Sequence, residues 1–120
     1  MSAARRILVV EDDEDVRELI ACTLEEHAYA VDQASDGRQA LLRVAESCPE
    51  LILLDMKMPR MNGWEFARQF HEQFGWPAPI VVVTASADAQ ARASEIGAEG
   101  HLGKPFALAD LLAVVKQYLP

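Results

Sequence analysis

The stretch "LILLDMKMP", residues 51–59, runs four apolar residues into a single aspartate and reaches a proline four positions later. A short, continuously apolar run is the pattern of a strand covered on both faces. Its end on a bare carboxylate leaves three readings of Asp55: a turn residue, a metal ligand or a nucleophile.

Outward from this stretch the same pattern returns. "ILVV" (Ile7 to Val10) and "IVVV" (Ile80 to Val83) are equally short and apolar. "YAVDQ" (Tyr29 to Gln33) alternates more, as an edge strand does, and "EGHL" (Glu99 to Leu102) suits a short fifth strand. Amphipathic segments lie between them. Val16, Leu19, Ile20, Thr23 and Leu24 form one helical stripe. Ala40, Leu41, Val44 and Ala45 form a second, after the cap candidates Ser35 and Asp36. Phe66, Phe70 and Phe74 recur every four residues after Asn62. An alanine-rich segment from Ala87 to Ile96 ends at Gly97, and Leu108, Leu111, Leu112, Val115 and Leu119 make the last stripe. A strand–helix unit repeated five times predicts an α/β parallel sheet with helices on both faces. Ligands of such sheets bind beyond the carboxyl ends of the strands.

Composition narrows the function. The chain has 120 residues, 51% of them hydrophobic, which suits one domain with a sizeable core. The formal net charge of −8 argues against binding a nucleic-acid backbone, and converging acids would favour a cation. No apolar run approaches membrane-spanning length and no signal peptide opens the chain, so no membrane partner is expected. Cys22 and Cys48 lack the spacing of a disulfide framework or a zinc site, and two reduced thiols in a cytoplasmic protein are expected.

The strand ends carry the chemistry. Glu11, Asp12 and Asp13 follow the first strand, Asp55 the third, Thr84 and Ala85 the fourth, Lys104 and Pro105 the fifth. With the first and third strands adjacent, Glu11, Asp12 and Asp55 converge, and such carboxylates must protonate or find a cation. Hard oxygen ligands with room for water suit Mg2+. A carboxylate beside that ion can attack phosphorus to give an aspartyl phosphate, with Lys104 and Thr84 stabilising the phosphoryl oxygens. Each residue alone has an ordinary reading: a helix-start acid, a turn aspartate, a strand threonine, a surface lysine. Their coincidence at successive strand ends outweighs those readings.

As a set, "ILVVEDD", "LILLDMKMPRMNG", "VVVTA" and "GKPF" resemble the motifs of a receiver domain of a two-component response regulator, over Arg6 to Leu119. The resemblance implies a flavodoxin-like (CheY-like) three-layer sandwich with five strands in order 2-1-3-4-5 and five helices. It implies that Asp55 is the phosphoacceptor and that Asp12 binds Mg2+ directly, with Mn2+ able to stand in. Glu11 would act through water, and the backbone carbonyl of Lys57 would complete the protein's share. Thr84 and Lys104 would bind the phosphoryl group, and the bond before Pro105 would be cis. Pro59 and Gly63 would shape the loop after the acceptor. Asp13 matches no required position and reads as a helix-start acid. The switch aromatic of the family is replaced by His101, a smaller and ionisable ring, which predicts a weaker or pH-sensitive switch against the plain alternative of a passive, half-exposed histidine. Lys57 and Ser86 fall at positions that tune phosphate lifetime, and the Lys57 side chain would reach the pocket mouth or pair with Glu11.

The implied activity is a switch, not metabolic catalysis. A sensor histidine kinase or histidine phosphotransfer protein would donate the phosphoryl group, and the surface of the fourth helix, fifth strand and fifth helix would change. The fourth helix, with only Ile96 as a large anchor, should pack weakly. Output would pass to a downstream protein, a fused effector or a homodimer partner, since residues 1–120 read as one receiver with no effector domain. Val114 and Tyr118 either widen the core face of the last helix or form a docking patch. Trp64 would report on the pocket if it borders it, Trp76 reads as a packing residue, and His27 and His71 read as surface residues. Two other classes compete. A Mg2+-dependent phosphohydrolase with an Asp nucleophile would want an acid where Lys57 stands. A binding module that is never phosphorylated would not need the acids, Thr84 and Lys104 together.

Overall fold

The computed structural model describes residues 4–85 and 87–120, so Ser86 lies outside the described residues. Five strands alternate with five helices. The strands are β1 (Arg6–Val10), β2 (Ala30–Ala34), β3 (Leu51–Leu54), β4 (Ile80–Ala85) and β5 (Gly100–Lys104). The helices are α1 (Glu14–Glu26), α2 (Gly37–Glu46), α3 (Gly63–Phe74), α4 (Ala89–Ile96) and α5 (Leu108–Tyr118). All strand pairs are parallel, in the order β2-β1-β3-β4-β5, as the resemblance implied.

The apolar runs explain the layering. β3 is buried at all four positions, so its alternate residues serve opposite faces. Leu51 and Leu53 join Ile7, Val9, Val81 and Val83 beneath α1 and α5, through Ile20, Leu24, Leu111, Val115 and Leu119. Ile52 and Leu54 join Leu8, Val10, Ile80 and Val82 beneath α2, α3 and α4, through Ala40, Val44, Phe66, Phe70 and Ala93. Three layers follow from a sheet that is apolar on both sides.

Local chemistry sets the helix starts. Asp13 accepts hydrogen bonds from the N–H groups of Asp15 and Val16, Asp36 from that of Gln39, and Asn62 from that of Glu65. Each satisfies donors that the first helical turn leaves unpaired. Gly75 and Gly97 close α3 and α4 in the left-handed conformation.

Several expectations need correction. β2 and β5 begin one residue later than expected and end one and two residues later, so Lys104 belongs to β5 itself. α4 begins at Ala89, because Asp88 N–H closes a turn on the Ala85 carbonyl. Leu19 is 52% exposed and Leu108 is exposed too. Leu19 lies about 100° around α1 from Ile20, and Leu108 opens α5 before the helix reaches the sheet. Ala45 is exposed, one position past buried Val44. Val114 and Tyr118 pack against the core, and the Tyr118 hydroxyl donates to the Glu99 carbonyl at 2.7 Å, so they widen the core face. His27 and His71 are exposed, as expected, and so are Cys22 and Cys48. Among the described residues no helix is long and apolar enough to cross a membrane.

Candidate functional site

The ladder runs one residue beyond β1 and β3. Glu11 N–H donates to the Ala34 carbonyl at 3.0 Å, and Asp55 N–H donates to the Val10 carbonyl at 2.9 Å. Both side chains are therefore aimed from a rigid sheet edge, and both are buried. Asp12 is exposed beside them. One carboxylate oxygen from each of Glu11, Asp12 and Asp55 lies within 4.8 Å of the others.

Lys104 arrives from the far side. It is the last residue of β5, in register with Ala85, while buried Thr84 stands opposite Gly103. The Lys104 ammonium donates to Glu11 Oε1 and lies 3.7 Å from Asp55 Oδ2. Asp55 Oδ1 accepts from Met56 N–H at 2.8 Å, and Glu11 Oε2 accepts from Asp13 N–H at 3.1 Å. The peptide between Lys104 and Pro105 is cis, as expected.

Burial pushes the Glu11 carboxyl up to about 7; the Lys104 hydrogen bond opposes this and the Asp55 charge adds to it. Burial also raises Asp55, against the Lys104 charge. Burial works against the Lys104 charge, but the Glu11 hydrogen bond and the Asp55 and Glu11 charges outweigh it, so its ammonium is held above its ordinary range. Among the described residues, three acids facing one lysine leave an excess of negative charge in a partly buried site. Converging hard oxygens with one exposed member fit a divalent ion that keeps part of its water, so the donor set suits Mg2+.

Residues 7–116 match the family described as the response regulator receiver domain. This chain belongs to that family. It is 42% identical over 116 residues to the response regulator MprA of Mycolicibacterium vanbaalenii, covering 95% of this chain and 50% of that protein. The MprA of Mycobacterium leprae is 41% identical over the same length. The chain thus spans about half the length of the curated relatives it matches. Among solved structures, the chemotaxis response regulator CheY4 of Vibrio cholerae superposes with a TM-score of 0.86 at 30% identity, covering 96% of this chain and 98% of that one. The receiver domain of a signal transduction histidine kinase from Syntrophus aciditrophicus gives 0.86 at 31% identity, covering 97% and 90%. Receiver domains of this family bind Mg2+ through acidic residues and interact with histidine kinases.

Within this receiver the remaining residues divide clearly. Lys57 is exposed, and Glu11 pairs with Lys104 rather than with Lys57. His101 is exposed on β5, opposite Val82, so its ring is outside the core. Trp64 turns toward α4, where its indole N–H donates to Glu95 at 2.9 Å and Arg92 lies over its ring. With Trp76, Glu95 and Glu99 it lines a groove of about 530 Å³ between α3 and α4. Trp76 packs edge-on against Phe70, as a packing residue should. One contributor was not anticipated. Arg17 donates to the Glu11 carbonyl at 2.9 Å and to the Gln33 side chain at 3.1 Å, bracing the strand end from α1. A lone arginine in a helix gives no sequence signal of that contact.

Proposed function

We propose that Asp55 accepts a phosphoryl group from a phosphohistidine of a sensor histidine kinase or a histidine phosphotransfer protein. The single observation behind this is the buried Asp55 carboxylate, within 4.8 Å of the Glu11 and Asp12 oxygens and 3.7 Å from the Lys104 ammonium. An Asp55 oxygen attacks phosphorus, the phosphorus–nitrogen bond to the donor breaks, and its electron pair leaves on the imidazole nitrogen. Met56 N–H holds Oδ1 and so orients the attacking carboxylate. Lys104 and the Thr84 hydroxyl stabilise the charge gathering on the phosphoryl oxygens. Glu11, Asp12, Asp55 and the Lys57 carbonyl are the groups that would hold Mg2+, which neutralises phosphoryl charge when bound.

The partner must bring its histidine to this mouth. Val16, exposed Leu19, Ala85, Pro105 and Phe106 line an apolar groove of about 440 Å³ that reaches Lys104. A helix carrying the phosphohistidine would dock there. Drawing Thr84 toward the phosphoryl group then shifts the adjoining α4, whose fully buried residues are the small Ala89 and Ala93, with Ile96 half-buried against the core, and with it the α4–β5–α5 surface. Residues 1–120 act on this reading as one cytoplasmic receiver whose output lies in a downstream protein or an attached effector. Phosphohydrolase chemistry has no support, because exposed Lys57 stands where its second acid would be needed.

Acetyl phosphate and Mg2+ provide the test, read by intact mass. Wild type should gain one acid-stable, base-labile phosphoryl group, and Asp55→Ala none. Labelling of both, or turnover of many equivalents, would refute the reading.

A further inference from the structure

The loop from Asp55 to Asn62 is pinned at two places. At its near end, Gly63 N–H donates to the Met56 carbonyl at 2.9 Å. A Cβ on Gly63 would lie 2.8 Å from Met56 Cα, so only glycine permits this approach. At its far end, Arg60 Nε donates to Asp36 Oδ2 at 2.6 Å and Gly37 N–H donates to the Met61 carbonyl at 2.9 Å. A Cβ on Gly37 would stand 2.7 Å from Met61 Cγ and 2.9 Å from the Met61 carbonyl oxygen.

Asp36 does more than start α2. Its cap function uses Oδ1, which accepts from Gln39 N–H at 2.9 Å. Its side chain is only 3% exposed, whereas that of Arg60 is 56% exposed. A cap needs one oxygen and no net charge, so serine or asparagine would serve. A buried second oxygen with a full charge needs a cation, and Arg60 supplies it. Arg60 does so from a left-handed backbone conformation, φ 64°, which a residue with a side chain adopts only under constraint.

Lys57 lies between the two pins. We propose that Asp36 and Arg60 are positioning residues for Mg2+: by fixing the far end of the loop they hold the Lys57 carbonyl ready for the ion. This rests on the receiver chemistry proposed above. An unpinned carbonyl would lose conformational freedom each time the ion bound, which weakens affinity without altering any ligand.

Two variants separate this role from simple folding. Arg60→Gly removes the ion pair and suits the left-handed turn, so the loop keeps its backbone path. Asp36→Asn keeps the α2 cap and removes the charge. Mg2+ affinity is read from the Mg2+ dependence of thermal denaturation, and Asp55 labelling by acetyl phosphate is followed across Mg2+ concentrations. Each variant should bind Mg2+ about tenfold more weakly, as loss of a ligand-supporting contact does. Labelling should recover at saturating Mg2+. Arg60→Gly, which leaves the Asp36 charge buried without its cation, should also lower the metal-free Tm, whereas Asp36→Asn, which removes that charge and keeps the cap, should hold it near wild type. The double variant should be no weaker than either single one, since both act through one contact. Unchanged Mg2+ affinity in both variants overturns the proposal, whatever their Tm. If wild type gains no phosphoryl group, the receiver chemistry fails, and the Mg2+ titrations still decide the positioning role.

Discussion

Phe70 on the inner face of α3 and Glu11 just past the end of β1 are buried to nearly the same degree, 0% and 2% exposed, yet their burial has opposite consequences. Phe70 stacks with Phe66 at 5.5 Å between ring centroids and meets Trp76 edge-on at 5.4 Å, so removing it from water stabilises the fold. Glu11 leaves water as a potential anion beside two other acids, and the cation it meets, Lys104, is shared with Asp55. The floor of the sheet holds the molecule together, and the carboxyl edge holds charge in wait for a ligand. Extent of burial says little about stability until the chemistry of the buried group is included.

The sharpest way to break this contrast is at the floor. Phe70→Ala should lower unfolding free energy by about 3–5 kcal/mol, measured by denaturant titration, because a cavity replaces a ring that packs on all sides. A loss below about 1 kcal/mol would mean that α3 collapses freely onto the sheet and that the floor is not the rigid member of the pair.

A smaller effect, of the other kind, is expected at the edge as pH changes. The Glu11 pKa of about 7 lies above the ordinary 4.5, so the metal-free folded protein keeps a proton that the unfolded chain has released. That contribution is present below pH 4.5 and is lost as pH rises through 7, on the order of 3 kcal/mol in total. Glu11→Gln should flatten this part of the profile, and Mg2+ should restore wild-type stability above pH 7. A wild-type profile that rises with pH in the absence of Mg2+ would place Glu11 among ordinary paired carboxylates.

Smallest in size, though distinctive in sign, is Asp55→Asn. Removing one of three converging acids should raise the metal-free stability at neutral pH by about 1 kcal/mol while weakening the gain from Mg2+. Thermal denaturation with and without Mg2+ reads both at once. Destabilisation instead would show that the Asp55 charge is needed to hold Lys104, and that the edge is built more like the floor than we infer.

Much of this protein was legible from its own chain because the relevant physics is short-range. Apolar runs at 7–10, 51–54 and 80–83 announce buried strands, and Asp13, Asp36 and Asn62 announce helix starts, through contacts within a few residues. The acids and the lysine were visible as strand-end residues for the same reason. Other features were decided only when the sheet assembled. Glu11 meets Lys104 across 93 positions of chain, and Asp36 meets Arg60 across a loop whose path no local rule specifies. Leu19 and Leu108 fit helical stripes yet face outward, because periodicity gives the spacing of a face and not the element it packs against. Parallel strands pair with partners distant in sequence, so the order of the sheet, and every contact across its carboxyl edge, belongs to the tertiary structure.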